Sequence, residues 1–353
     1  MPHASRVLIG LCLLVLVGCD TVRYATLDAA ATLPQGAARQ DVFISSPPDP
    51  LAQSTIAGAQ RPDKREWSQW TVSIPPTHER GQIEWLPSQR ATANNSFIVA
   101  ADNRYQNRAS FIGDIAKAAA GGDVVVYVHG FNTTVSEAAF RAVQMKHDFE
   151  QSQPSVVFAW PSAAAAAGYL YDRDSILFAR DELRNLVRDL SARRDVDRVI
   201  LVAHSLGAVL VMETLRDLRQ ETRASVRAVV GGVVLIAPDV DPQVFRRQAS
   251  AIGDLPNPFV VFTSQQDRAL RLSSLFVGGQ PRLGTLDSIE QLRGLDITLV
   301  DMSAIDSNEP LNHFPVAGSK EVVDLILKMR DRGGLQTLGT YVEVRRPPRA
   351  EIQ

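Results

Sequence analysis

Ser205 stands in Ala203-His-Ser-Leu-Gly207, after the apolar run Val199–Val202 and before the helical run Ala208–Leu218. A serine at such a strand-to-helix junction sits on a tight turn. The turn lifts its hydroxyl above the sheet and sets a helix N-terminus beneath any negative charge that forms there. Gly207 is small, as the turn requires, and Ala203 stands where the usual G-x-S-x-G pattern has glycine. The plain alternative is a serine that caps a helix.

A serine hydroxyl attacks only when a base takes its proton, so one of six histidines must serve. His3 lies in the N-terminal apolar segment, His78 in an early turn region, and His147 on a helix between Lys146 and Asp148. His129 follows a strand and reads as structural. His204 adjoins the serine and is expected to point away from it. His313 alone follows Ser205, which suits the order nucleophile, acid, histidine in a doubly wound sheet.

The acid that orients the histidine belongs at the end of a later strand. Asp267, in Phe262-Thr-Ser-Gln-Gln-Asp267, holds the commoner position and is the expected acid. Asp239, in Ala237-Pro-Asp239, is the alternative, and otherwise shapes the loop near substrate. Donors for an oxyanion are expected at the backbone N–H of Leu206 and at that of Phe131, in Val128-His-Gly-Phe-Asn132, where Gly130 permits close backbone approach. The segment from Trp160 to Asp172 contains an alanine run, so a flap with Tyr169 or Tyr171 toward substrate is one reading; tyrosines packed on an ordinary loop are the other. This set performs acyl transfer without an organic cofactor, and the histidines lack the spacing of metal ligands.

The surrounding pattern supplies an α/β scaffold. Short apolar strands are expected at Val124–Val128, Val156–Ala159, Val199–Val202, Val230–Ile236, Phe259–Phe262 and Ile297–Val300, with helical segments between them. That alternation is the signature of a mostly parallel, doubly wound sheet. Residues 66 to 120 carry strand-like pieces at Trp70–Ile74 and Ser96–Ala100, read as an antiparallel N-terminal edge, with Val42-Phe43-Ile44 as a first strand. Thr134 and Glu137 have the spacing of a capping box. The expected boundaries are a tether over 19–40, one domain over 41–335 and a solvated tail over 336–353.

With 353 residues, 45% hydrophobic and 22% charged, the chain is long enough to bury a large core without staples. A net charge of −2 leaves no electrostatic footprint for nucleic acid. The two cysteines, Cys12 and Cys19, both lie in the first nineteen residues, which removes redox chemistry and a disulfide framework. Arg6 precedes an apolar run from Val7 to Val17, shorter than the roughly 20 residues a spanning helix needs. The run ends at Leu16-Val-Gly-Cys19, which resembles the lipobox of bacterial lipoproteins. The resemblance implies cleavage of residues 1–18, acylation of Cys19 and an envelope location, lipid-anchored and facing the periplasm. An ordinary secretory signal or an uncleaved anchor is the other reading.

The catalytic segments together resemble the α/β-hydrolase fold. More narrowly, they resemble the esterase- and lipase-like bacterial α/β-hydrolases of unknown function. That likeness rests on Val72-Ser-Ile-Pro75 with His78 and Gly81, Val128-His-Gly-Phe-Asn132, Phe158-Ala-Trp-Pro-Ser162, Ala203-His-Ser-Leu-Gly207, Ala237-Pro-Asp239 and Ser264-Gln-Gln-Asp-Arg-Ala-Leu270. It spans residues 41 to 330 and implies an acid at Asp267 and a base at His313. The expected activity is hydrolysis of a small-molecule or lipid ester; a thioesterase or amidase would use the same residues. A non-catalytic envelope scaffold that keeps the fold as a binding surface is the rival, favoured by Ala203.

Overall fold

A computed structural model describes residues 24–29, 32–48, 61–87, 89–222, 225–286, 289–305, 313, 315–331 and 343–345. Cys19 and the N-terminal apolar segment lie outside them. Ten strands run in chain order as β1 (Ala38–Ser46), β2 (Glu66–Ile74), β3 (Ile98–Tyr105), β4 (Val124–Val128), β5 (Ser155–Phe158), β6 (Val199–His204), β7 (Val230–Ile236), β8 (Phe259–Thr263), β9 (Thr298–Asp301) and β10 (Glu343–Arg345). They form one sheet in the order β10-β9-β8-β7-β6-β4-β5-β1-β2-β3. The strands from β9 to β1 are parallel, while β2, β3 and β10 add antiparallel edges. This is the α/β-hydrolase architecture.

The helices are α1 (Arg108–Ala119), α2 (Val135–Asp148), α3 (Tyr169–Ser191), α4 (Gly207–Thr222), α5 (Pro242–Ile252), α6 (Arg268–Phe276) and α7 (Lys320–Asp331). Alternation along β4 sends Val124, Val126 and Val128 into one core, with Phe111 of α1, Leu183 of α3, Leu215 of α4 and Phe245 of α5. Tyr127 points to the other face, where Phe140 and Val143 of α2 pack. Both faces are therefore covered, and inner strands such as β4 and β7 are almost wholly apolar. Among the described residues no helix is long and apolar enough to cross a membrane.

Three expectations are corrected. Residues 108–119, expected to belong to the strand-like region, form α1. Asn107 caps it through a bond from Ser110 N–H, and Phe111, Ile112, Ile115 and Ala116 are buried at helical spacing. The expected tether is tied to the sheet: Val99 N–H donates to Thr26 carbonyl at 2.8 Å, and Asp28 N–H to Val99 carbonyl at 3.0 Å. Strand β1 then begins at Ala38, inside the expected tether. In the tail, Glu343–Arg345 pairs with Leu299–Asp301, because an unpaired edge at β9 offers a row of backbone groups.

The connectivity also decides where a site can form. From β4 the chain crosses to β5 on one side and then to β6 on the other, so β4 and β6 are neighbours whose crossovers leave in opposite directions. The crevice at the carboxyl ends of such a strand pair is the usual ligand position in open parallel sheets.

Candidate active site

Ser205 lies at that crevice. Val128, the last residue of β4, pairs with Ala203, so the chain leaving β4 runs beside the chain leaving β6. Ser205 is 3% exposed and has φ +51°, the left-handed region that a serine adopts only at a cost of about 1–2 kcal/mol. It is not alone. Asn132, Ala164 and Ala237, in the loops after β4, β5 and β7, have φ of +52°, +48° and +45°. Strained non-glycine backbone thus gathers at the ends of four adjacent strands, the place where such strain is kept for function.

The loop after β4 presses on the elbow. A Cβ added to Gly130 would lie 2.7 Å from His204 Nδ1 and 2.8 Å from Ser205 Cβ, and one added to Gly207 would lie 2.5 Å from His129 carbonyl oxygen. Only glycine fits either position. Ala203 is fully buried on β6 and fits the strand without glycine. Leu206 is buried and Phe131 half-buried on the two sides of this contact.

Asp267 is fully buried, and its carboxylate is divided between two tasks. Oδ1 accepts the N–H of Leu270 at 2.8 Å and caps α6; Oδ2 lies 2.7 Å from His313 Nδ1. The His313 ring stands 4.6 Å from that of His204. His204 is the last residue of β6, and its ring packs against that of His313. Burial, with the charge of His313 next, pushes the His204 imidazole well below the usual histidine range, so it is neutral at physiological pH.

His129 is a structural residue. Its ring stacks on Trp160 at 4.6 Å, Nε2 accepts the Trp160 backbone N–H at 3.2 Å, and Nδ1 lies 2.9 Å from Gly130 carbonyl oxygen. The consistent tautomer carries its proton on Nδ1. Burial lowers its pKa to about 4.

Of the three residues expected near substrate, Asp239 and Tyr169 are buried and Tyr171 is half-buried. Asp239 is 3% exposed, with Oδ1 2.9 Å from Arg282 Nε and accepting the Ser273 hydroxyl at 3.1 Å. Its Oδ2 accepts the Tyr169 hydroxyl at 3.0 Å. With both oxygens engaged it has no contact with His313 like that of Asp267, although its N–H donates to Ser205 carbonyl at 3.1 Å. Burial raises its pKa despite Arg282. Tyr169 is buried beneath Phe131 and Phe276, both at 5.4 Å, and its hydroxyl is pushed up to about 12 by burial and then by Asp239. Tyr171 packs under the Arg61 guanidinium at 4.2 Å. Sequence reasoning missed Arg282 and Asp172, whose partners Asp239 and Asn132 lie far along the chain.

Elsewhere among the described residues, His78, His147 and Asp148 bring potential metal-ligand atoms within 4.8 Å of one another. His78 and Asp148 are already engaged with other partners. His78 Nδ1 and Nε2 lie 2.9 and 2.8 Å from Glu84 and Asp148, and the other Asp148 oxygen accepts Gly81 N–H and the Gln144 amide. The group fits an imidazolium between two carboxylates rather than a metal.

A search of curated protein sequences gives no match. Among solved structures, the chain is similar to a protein of Lactobacillus plantarum WCFS1 described as a cell surface hydrolase. The identity is 12% and the TM-score 0.37, over 63% of this chain and 99% of that one. It is also similar to a fungal esterase of Rhizomucor miehei, at 13% identity and a TM-score of 0.33, over 86% and 84% of the two chains. The profile of one protein family matches residues 104–330, a span running from the end of β3 through nearly all of α7, and the chain therefore belongs to the alpha/beta hydrolases of unknown function, DUF900.

Proposed function

We propose that this protein is a serine hydrolase that cleaves carboxylic esters through an acyl-enzyme. The observation that carries the reading is the Asp267–His313 contact of 2.7 Å, with the His313 ring 4.6 Å from that of His204, whose neighbour Ser205 is held in left-handed backbone at a strand-to-helix turn. The carboxylate on Nδ1 fixes the tautomer in which Nε2 is the basic nitrogen, and it stabilises the imidazolium that forms. His313 takes the Ser205 proton as Oγ attacks the ester carbonyl carbon. The carbonyl oxygen becomes an oxyanion beneath the N–H groups of Phe131 and Leu206.

Collapse of that intermediate breaks the bond to the alcohol oxygen, which leaves with the proton from His313. Water, deprotonated by His313, attacks the acyl carbon, and release of the acid restores Ser205. No step calls for a metal or an organic cofactor. On the same reading, the Leu16–Cys19 pattern holds the enzyme at the bacterial envelope through a lipid on Cys19. A panel of p-nitrophenyl esters from acetate to long-chain acyl groups tests the activity. Turnover by the wild type, lost in Ser205→Ala and His313→Ala, is the expected result. Turnover that persists in both variants overturns it.

A further inference from the structure

Asp172 is fully buried in the first turn of α3, 9 residues beyond Ala163 and 40 beyond Asn132, both of which it touches. Its Oδ1 accepts the N–H of Ala163 at 2.6 Å. Its Oδ2 accepts the Ser162 hydroxyl at 2.7 Å and the N–H of Asn132 at 3.2 Å. Asn132 directly follows Phe131, and both Asn132 and Ala164 carry left-handed φ. Three donors from two loops therefore converge on one carboxylate, and each loop has a strained residue within one position of its anchor. Ser162 extends the arrangement, since its Oγ accepts the N–H of Ala164 at 3.1 Å.

The geometry points to Asp172 as a positioning residue for catalysis: its anion clamps the loop after β4 to the loop after β5 and so fixes the Phe131 N–H that receives the oxyanion. The inference rests on the proposed hydrolase reading.

A purely structural account fits less well. Burial pushes the Asp172 carboxyl up to about 6, although the bonds from Ala163, Ser162 and Asn132 and the charge of Arg61 all act in the other direction. Arg61 is itself engaged with Ser175 and the Tyr171 carbonyl. An acid whose folded pKa exceeds its unfolded value near 4 favours the folded state most when protonated, and that advantage is lost as pH rises through 6. At neutral pH the anion is thus held against the stability of the fold, an arrangement found where function requires the charged form. An amide at this position keeps the shape but presents a donor to one of the N–H groups, which misplaces the loop without burying a charge.

The test compares wild type, Asp172→Asn and Ser162→Ala for kcat and KM on a short-chain ester, for fluorophosphonate labelling rate and for thermal midpoint. Displacing a catalytic group by about 1 Å costs roughly 100-fold, so kcat is expected to fall about 10- to 100-fold in Asp172→Asn, with KM within about twofold and the thermal midpoint not lowered. Ser162→Ala, which removes one donor, is expected to lose about two- to fivefold in kcat. The acid limb of the wild-type pH–kcat profile should be steeper than that of Asp172→Asn, which lacks the ionisation near 6. An unchanged kcat in a folded Asp172→Asn overturns the inference and leaves the hydrolase reading intact. If that variant fails to fold, an unchanged kcat in Ser162→Ala overturns it. A wild type that neither labels nor turns over removes the hydrolase reading, and this inference with it.

Discussion

Two imidazoles pair with buried carboxylates at opposite ends of one sheet. His313 sits at the carboxyl ends of the parallel strands, 2.7 Å from Asp267, with 18% of its side chain exposed. His78 follows β2 at the other end, where Ile74 pairs with the first residue of β1; it is 7% exposed and has a carboxylate on each nitrogen. Burial alone would lower the His78 pKa, but its bonds to Asp148 and Glu84 outweigh it and raise the value to about 9. Carboxylates on both nitrogens hold a cation at neutral pH that fastens the early turn to α2. The Asp267 carboxylate on Nδ1 of His313, on the proposed reading, orients a base that receives a proton and passes it on. Residue types do not separate these roles; the surroundings of each imidazole do.

The largest effect that would break this comparison lies at the acids. Asp267→Asn is expected to lower kcat by about 10⁴-fold, as loss of the orienting carboxylate does in a triad, while leaving the fold intact. Asp239→Asn should show the reverse: a fold weakened through the Arg282 pair, by about 3 kcal/mol in urea denaturation, with less than about tenfold lost in kcat. Comparable kcat losses in the two variants would reassign the acid.

Next in size is Gly130→Ala. Its new Cβ would meet His204 and Ser205, so the loop must shift, and a loss of about 100-fold in kcat is expected with the ester panel.

At the opposite end, Asp148→Ala is expected to cost about 3 kcal/mol of stability with kcat of the folded enzyme unchanged, read by urea denaturation and steady-state kinetics. The same cluster sets a pH dependence. The folded pKa of His78 lies above its unfolded value near 6.5, so its contribution is fully present below pH 6.5 and fades as pH rises through 9. Stability measured from pH 6 to 10 should fall across that window, and His78→Gln should flatten the fall.

The smallest effect is expected from Tyr169→Phe. It removes the buried hydrogen bond to Asp239 and the longer one from Arg282, together worth about 1–2 kcal/mol in thermal denaturation, with little change in KM. A large rise in KM would return Tyr169 to the substrate face.

The parallel strands and the elbow were legible because they are local patterns. Apolar runs of four to seven residues, a serine between strand and helix, and Thr134 with Glu137 each carry their signal within a few positions. The capping box forms with both reciprocal bonds, at 3.1 and 2.9 Å. Chain order singled out His313 and favoured Asp267 over Asp239, and Asp267 lies 2.7 Å from His313. The clamp at Asp172 was hidden because an acid in the first turn of a helix is ordinary, and its partner Asn132 lies 40 residues away. Arg282 was hidden because its partner Asp239 lies far along the chain. Strain at Asn132, Ala164 and Ala237 left no mark, since none is the glycine that announces left-handed backbone. Helix α1 was obscured because its short apolar stripe follows directly on strand-like pieces.

The claim that Ser205 is an activated nucleophile is tested most directly by intact-mass analysis of the folded protein after exposure to a fluorophosphonate. A single adduct that maps to the peptide carrying Ser205, and that disappears in His313→Ala, is the expected result. A folded wild type that remains unmodified, or an adduct on any other residue, would contradict it.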